Sequence, residues 1–485
     1  MIIKKSIFAF LAGMLGILSF SPFSYKYLIF FSYAYLIYLL IESKSFKFRE
    51  VFLWGIGHWG FGMSWIIVSI YYYGETHIIT SFLIYIILTI ILSLVFTSPL
   101  LITTYINNKI KFNNTFLKTI TISSFLMMSE ISRDYLLYGV PWLTPGNIYL
   151  DTISQNIYPI FGASFASLII YVLCAMLVIY NQKKSALFIC TALILLSIYP
   201  EKAKNEKGII PISIIQPSSD PFRKYNADYS INLENNIINQ LKKITSSSEL
   251  VILPEAELPY PTNNPRFKKF IQKTEITNKL VIGAWLLEKN QLYNSIYVPS
   301  NGDYYKKIHL VPFGEYIPFI ESLRSIISFF DLPMSNVSSG PHNQENLIIN
   351  NYKIATPICF DIAFSKTVRK MNKSSDFIIN ISNDTWFGNS IGPHHHLNIA
   401  RVRAIENNKW IIRATNDGFS AIISNKGTIV DKIDKGVTGI LEGNINPIKD
   451  RSFYNEYGFI LSSLFSFIFV LLSLLSVLWN SIKRI

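Results

Sequence analysis

Apolar residues in this 485-residue chain gather into long runs before residue 200 and after residue 457, while the stretch between mixes apolar, polar and charged residues as a water-exposed domain does. A helix that crosses a bilayer needs roughly 17–25 mostly apolar residues. Eight runs come near that measure, at about 6–21, 25–42, 51–72, 78–105, 116–137, 156–180, 185–200 and 457–480. The expected fold is a polytopic α-helical membrane domain over residues 1–200, carrying seven helices. An extramembrane domain follows over 201–456, and an eighth helix with a short tail occupies 457–485. Composition agrees, because only 15% of residues are charged, against about a quarter in a soluble chain. The first run is short and follows Lys4 and Lys5, as a signal peptide would. No small-x-small cleavage site precedes the second run, which favours a retained helix.

The net charge of +13 invites a nucleic-acid reading, but its placement argues for membrane topology. Basic residues cluster at Lys4 and Lys5, at Lys44, Lys47 and Arg49, at Lys109, Lys111 and Lys118, at Lys183 and Lys184, and at Lys483 and Arg484. With a cytoplasmic N-terminus, all five clusters fall on the cytoplasmic side. The opposite loops, 22–24, 73–77 and 138–155, hold no lysine or arginine. Cytoplasmic loops are the ones enriched in Lys and Arg, so segment 201–456 is expected on the outer face, the periplasm of a bacterial inner membrane. No basic stripe with interleaved aromatics accompanies the charge, and no nucleic-acid partner is expected.

The outer segment alternates strand and helix signals. Strand-like runs appear at Ile209–Gln216, Leu250–Pro254, Lys279–Leu286, Tyr293–Pro299, Tyr352–Cys359 and Asp376–Ser382, then at Trp410–Thr415 and Phe419–Ser424. Helical stretches intervene, among them 228–245 and 394–408. Such alternation predicts one α/β layered domain.

Three cysteines are present, and Cys174 and Cys190 lie inside apolar runs, which leaves Cys359 as the thiol of the outer segment. No disulfide framework and no CxxC or Cys/His metal spacing exists there. Three motifs close strand-like runs: Leu-Pro-Glu ending at Glu255, the stretch from Lys307 through Val-Pro-Phe-Gly to Glu315, and Pro-Ile-Cys-Phe-Asp with Cys359 and Asp361. Singly each has a plain structural explanation, as a loop carboxylate, a solvent-facing lysine and a small buried thiol. Together they hold what thiol acyl transfer needs: a carboxylate to take a proton, a nucleophilic thiolate and a cation to stabilise an oxyanion.

These motifs resemble the Glu–Lys–Cys triad of the nitrilase, or carbon–nitrogen hydrolase, superfamily. With the membrane runs included, the chain resembles its membrane-embedded branch, the bacterial apolipoprotein N-acyltransferase family. The likeness runs through Lys307 to Pro318, Ile381 to Gly388 (Ile-Ser-Asn-Asp-Thr-Trp-Phe-Gly), Gly392-Pro-His, Ala400 to Glu406 and Arg413-Ala-Thr-Asn-x-Gly. Nearer the N-terminus it includes Ser21-Pro-Phe, Trp54-Gly, Trp65 to Ser69 and Gly139-Val-Pro-Trp. The resemblance implies an αββα sandwich with Glu255 as general base, Lys307 as oxyanion stabiliser and Cys359 as nucleophile. It gives Glu315 and Asp361 supporting roles and sets Trp386 and Phe387 beside the substrate pocket. Many members carry Cys-Tyr-Glu where this chain has Cys-Phe-Asp, so Asp361 is one methylene short of the usual carboxylate. The implied reaction moves a fatty acyl chain from a membrane phospholipid to the N-terminal amine of a diacylglyceryl-modified apolipoprotein, with no cofactor and no metal. A membrane-tethered amidase with the same triad is the alternative within enzymes, distinguished by water rather than an amine as acceptor. A transporter is disfavoured because charges within the runs are few.

Other features are weighed more lightly. Successive residues His394, His395 and His396 point about 100° apart on a helix and do not converge on one metal ion. Arg133, at the outer end of a span where Glu130 can pair with it, suits interfacial anchoring and substrate contact equally. Ile326, Ile327, Phe329 and Phe330, within 319–333, suit either a membrane-touching arm or a buried helix. The topology is checkable directly. A reporter fused after Lys204 should read as periplasmic and one after Lys184 as cytoplasmic; the reverse pattern would overturn the assignment.

Overall fold

Among the described residues, the runs that the sequence predicts for the membrane fold into helices, several of which expose large apolar side chains. The computed structural model describes all residues except Met1, 43–47, 74–76, 110–114, 137–138, 181–186, 188–189, 193–195, 197, 199–207, 313, 317–336 and 483–485. Most of the expected 185–200 helix and all of the 319–333 segment lie outside the described residues. Contacts divide the chain into two units: Met1–Ile67 with Ile79–Glu201 and Glu456–Ile485, and Val68–Ile78 with Lys202–Asn455.

The first unit is helical. Helix Ile78–Thr97 buries Ser81, Thr89, Ser93 and Thr97 while Ile79, Phe82, Leu83 and Ile87 are exposed. Small polar residues inside and large apolar ones outside is the arrangement that lipid permits and water does not. Helices Ile2–Ile17 and Phe48–Gly62 meet backbone to backbone. A Cβ on Gly13 would stand 2.0 Å from Trp54 O, and one on Gly57 would stand 2.1 Å from Phe10 O. Among the described residues three helices, Ile78–Ile106, Ile153–Ile179 and Tyr454–Ser476, are long and apolar enough to cross a membrane. A fourth crossing arises if Phe48–Gly62 and Trp65–Tyr72, bent by 51°, act as one span. Arg133 closes the Gly139–Trp142 hairpin by donating to the carbonyls of Val140 and Trp142, at 3.3 and 2.8 Å, with its guanidinium over the Trp59 ring. Glu130 accepts from Ser167 and Tyr171.

The second unit is built on two sheets. Its strands are β1 (Ile210–Gln216), β2 (Leu250–Ile252), β3 (Leu280–Glu288), β4 (Gln291–Tyr297), β5 (Tyr304–Lys306), β6 (Leu347–Ile349), β7 (Tyr352–Ala355), β8 (Phe377–Ser382), β9 (Ile411–Thr415), β10 (Ser420–Ile423), β11 (Ile429–Ile433) and β12 (Gly439–Ile445). One sheet runs β12-β1-β2-β3-β4-β5 and the other β11-β10-β9-β8-β7-β6. Both share one plan. A parallel trio (β1-β2-β3, or β7-β8-β9) has an antiparallel strand on one flank and an antiparallel pair on the other.

Strand alternation explains the layering, since successive side chains leave a strand on opposite faces. Ile212, Ile214, Ile252 and Val281 share a core with Ile354, Ile379, Ile381 and Ile412 of the other sheet. The intervening Ile215, Val251, Leu253 and Ile282 turn outward onto Ile237, Leu241, Phe267 and Phe270. Those last four belong to helices Ala227–Leu241 and Pro265–Thr274, the crossovers between parallel strands. Helices Ser365–Met371 and Gly392–Asn407 hold the same places in the other sheet. Sheets buried on both faces read as continuous apolar runs, which is why the sequence marks them so clearly. The result is the expected αββα sandwich. Edge strands β5, β6, β11 and β12 and two of the helices escape the sequence reading because they are short or largely exposed.

Candidate active site

A lysine buried without an anion beside it would lose its charge. Lys307 leaves β5 fully buried and meets two carboxylates, with Nζ 3.0 Å from Glu255 Oε1 and 2.9 Å from Glu315. Burial alone would push its pKa down; Glu255, Glu315 and the neighbouring Cys359 outweigh that and hold it well above the usual lysine value. The Lys307 backbone N–H donates to Asn294 O at 2.8 Å, tying the lysine to β4.

Glu255 lies just past the C-terminal end of β2, the usual location for ligand groups in parallel sheets. Its turn requires close backbone approach. A Cβ on Gly283 of β3 would stand 2.2 Å from Pro254 O and 2.6 Å from Glu255 Cα, and the following Ala256 adopts a left-handed φ of 43°. The carboxylate accepts from Asn294 Nδ2 at 2.6 Å and from the Asn383 backbone N–H at 2.7 Å. Glu315 accepts from Asn294 Nδ2 at 2.9 Å and from the Val311 N–H at 2.8 Å. Asn294 thus bridges both carboxylates. The sequence reading missed it, because β4 also carries Gln291 and Ser295 and nothing local sets Asn294 apart.

Cys359 follows the β7 segment and opens the short 3₁₀ turn Cys359–Ala363, with a left-handed φ of 46°. For a non-glycine residue that conformation costs on the order of 1–3 kcal/mol and persists only where the surroundings impose it. Burial pushes the thiol well above its ordinary value, Glu255 adds to the rise, and Lys307 opposes it. The thiol is therefore held protonated, within electrostatic reach of the Glu255 carboxylate and the Lys307 ammonium.

The structure thus brings Glu255, Lys307, Glu315 and Cys359 together. Asp361 faces elsewhere. It accepts from the backbone N–H groups of His309 and Ile358, at 2.7 and 3.2 Å, and burial pushes its carboxyl up to about 7. It fastens the residues just after Lys307 to those just before Cys359. Trp386 and Phe387 sit on the 3₁₀ turn Asp384–Phe387. Phe222 packs edge-on against Trp386 at 5.4 Å, and Ser69 Oγ donates to the Trp386 carbonyl.

The electrostatics give a signed expectation. Because the Glu255 charge raises the Cys359 pKa, Glu255→Gln should speed alkylation of Cys359 by iodoacetamide at pH 8. Peptide-resolved mass spectrometry, with the exposed Cys190 as internal reference, reads the rate. An unchanged or slower reaction would mean that the carboxylate charge is not felt at Sγ.

Comparison with known proteins finds relatives over nearly the whole chain. Residues 212–449 match the carbon-nitrogen hydrolase family, and residues 12–176 match the apolipoprotein N-acyltransferase N-terminal domain. Among solved structures, Saccharomyces cerevisiae Nit3, a member of branch 10 of the nitrilase superfamily, is 21% identical, covering 48% of this chain and 90% of that one with a TM-score of 0.35. The apolipoprotein N-acyltransferase of Pasteurella multocida is 31% identical over 94% of this chain and 93% of its own length. That of Haemophilus influenzae is also 31% identical, over 96% and 93%. The Wigglesworthia glossinidia brevipalpis protein of the same name reaches 32%, over 95% and 96%. With both halves matched and identity of this level sustained from end to end, the chain belongs to the apolipoprotein N-acyltransferase family.

Proposed function

We propose that this protein transfers a fatty acyl chain from a membrane phospholipid to the N-terminal amine of diacylglyceryl-cysteine lipoproteins, through a thioester on Cys359. The observation that carries the reading is the buried Lys307 ammonium between Glu255 and Glu315, with the Cys359 thiol beside it. Family membership supplies the class of reaction, and the residues supply its steps.

In the first half-reaction the Glu255 carboxylate takes the Cys359 proton as sulfur attacks the ester carbonyl. Lys307 stabilises the tetrahedral oxyanion. Collapse breaks the ester C–O bond, Glu255 returns the proton to the leaving oxygen, and a lysophospholipid departs. In the second, the α-amine attacks the thioester carbonyl and Glu255 takes an amine proton; the C–S bond then breaks and Glu255 returns that proton to sulfur, giving the amide and the free thiol. Glu315 holds the lysine in place throughout, Asp361 fastens the Cys359 turn, and Trp386 and Phe387 line the acyl-chain pocket.

In the same reading, residues 1–200 carry seven spans, 201–456 form the catalytic domain in the periplasm, and 457–485 return through the inner membrane as the eighth. The loop charges and the lipid-facing helix surfaces support this topology. Both substrates are lipid-anchored, so a catalytic domain tethered at the bilayer surface meets them without drawing an acyl chain through water, at roughly 0.8 kcal/mol per CH₂.

Purified protein incubated with phospholipid alone should gain one fatty acyl mass on Cys359, and hydroxylamine should remove it. Cys359→Ser should lose turnover by at least about a thousandfold, since an alcohol lacks the acidity and nucleophilicity of the thiol. Full activity with serine at this position would sink the mechanism.

A further inference from the structure

The histidine run noted in the sequence contributes a feature that the acyl-transfer steps leave unused. Helix Gly392–Asn407 carries His396 fully buried behind the nucleophile. Its Nε2 lies 3.1 Å from the Cys359 carbonyl oxygen. A carbonyl oxygen only accepts, so Nε2 carries the hydrogen. On the other side of the ring, Nδ1 lies 2.9 Å from Asp384 Oδ1 and 3.1 Å from Arg413 Nη2. Asp384 is itself fixed, by Arg413 Nη2 at 2.8 Å on Oδ2 and by Ser382 Oγ at 2.6 Å on Oδ1. Arg413 also donates to Asn380 Oδ1, and Asn380 Nδ2 donates to Pro357 O at 2.9 Å. The network leaves the Cys359 carbonyl through His396 and returns to the same strand end two residues earlier. The Phe387 ring meets the imidazole edge-on at 5.8 Å and closes its remaining side.

We infer that His396, anchored by Asp384, is a positioning residue for the nucleophile: it holds the Cys359 carbonyl and so maintains the left-handed backbone from which the thiol faces Glu255 and Lys307. The inference rests on the proposed acyl transfer at Cys359 and adds a residue to it. The need is physical. A non-glycine residue at φ 46° relaxes toward the ordinary negative-φ region unless its neighbours oppose the change. Relaxation would swing the carbonyl and the Sγ together, because both hang from the same Cα. Asp384 stays ionised in this role. Burial alone would raise its pKa, but Arg413 and His396 outweigh that and hold it far below the usual carboxylate range. His396 touches no reacting atom in this scheme and acts through Cys359 alone.

The test uses full-length detergent-solubilised protein with mixed micelles of phosphatidylethanolamine. The rate of acyl-adduct formation on Cys359 is read by intact mass across phospholipid concentrations for wild type, His396→Leu and His396→Gln. Leucine fills similar space without a donor, whereas the glutamine amide N–H can still reach the carbonyl. The leucine variant should lose about a hundredfold in maximal acylation rate, the scale of a misplaced reacting group, with the half-saturating phospholipid concentration unchanged. The glutamine variant should recover at least tenfold of that loss. Iodoacetamide alkylation of Cys359, which needs no phospholipid, should rank the three proteins in the same order.

A leucine variant within tenfold of wild type in both reactions would overturn the inference, as would a glutamine variant no faster than leucine. If the leucine variant does not purify as a monodisperse species, glutamine against wild type decides: a measurable loss of up to about tenfold supports the role, and either no loss or a larger one overturns it. Wild-type protein that takes up no acyl group would refute the acyl-transfer reading, while the alkylation ranking would still judge His396.

Discussion

Everything at the candidate site is arranged around one buried cation. Lys307 Nζ has been taken out of water, and the desolvation of an ammonium is offset only by close, well-oriented anions. Glu255 and Glu315 provide them at 3.0 and 2.9 Å, and Asn294 joins the two carboxylates through one amide nitrogen. Burial is what chiefly keeps the Cys359 thiol protonated, and the Glu255 charge adds to it while Lys307 opposes it. Carboxylate, ammonium and thiol share one buried region, within electrostatic reach of one another. Removal of any one of the three charges of the ion-pair cluster strands the others in a low-dielectric interior, so the cluster is a folding constraint.

The two-sheet scaffold makes that cluster possible. Glu255 comes from the end of β2 in one sheet and Cys359 from the segment after β7 in the other, and the backbone N–H of Asn383, just beyond β8, reaches across to Glu255. The Asn416 side chain, past β9, takes the Ser219 N–H at 2.8 Å and donates to the Ser219 carbonyl at 2.8 Å, knitting the loop after β1 to the same region. Because each sheet follows one connectivity plan, strand ends of like kind face each other across the inter-sheet core. Close backbone contact at Gly283 and left-handed turns at Ala256 and Cys359 then set the side chains in register.

Much of this was legible in the sequence, for physical reasons that differ by element. Long apolar runs announce helices in lipid, and β1, β3 and β8, largely buried, announce themselves as mostly apolar stretches. The three charged motifs were readable because carboxylate, lysine and thiol at strand ends form a chemically complete set. Asn294 was not readable, because its role exists only once β4 lies beside β5 and the β2 loop, and nothing in its local sequence records those neighbours. The edge strands β11 and β12 were hidden for another reason, because Asp431, Lys432 and Glu442 give them the composition of loops. Asp361 was legible only as a supporting carboxylate of its motif, and the backbone amides that its short side chain accepts from are visible only in the fold. The histidine run was set aside because three adjacent helical residues diverge, and that divergence leaves His396 directed at Asp384 and Cys359 while His394 lies against Phe419.

A chase experiment tests the central claim most directly, that Cys359 carries the acyl group between two lipid-anchored substrates. Protein loaded with a radiolabelled acyl chain is freed of donor phospholipid and mixed with a synthetic diacylglyceryl-cysteine peptide and excess unlabelled phospholipid. The account predicts that the label leaves Cys359 and appears in amide linkage on the peptide amine, in one turnover and undiluted by the unlabelled donor. Label that stays on the protein, is released as free fatty acid, or reaches the peptide only after dilution with unlabelled phospholipid would contradict it.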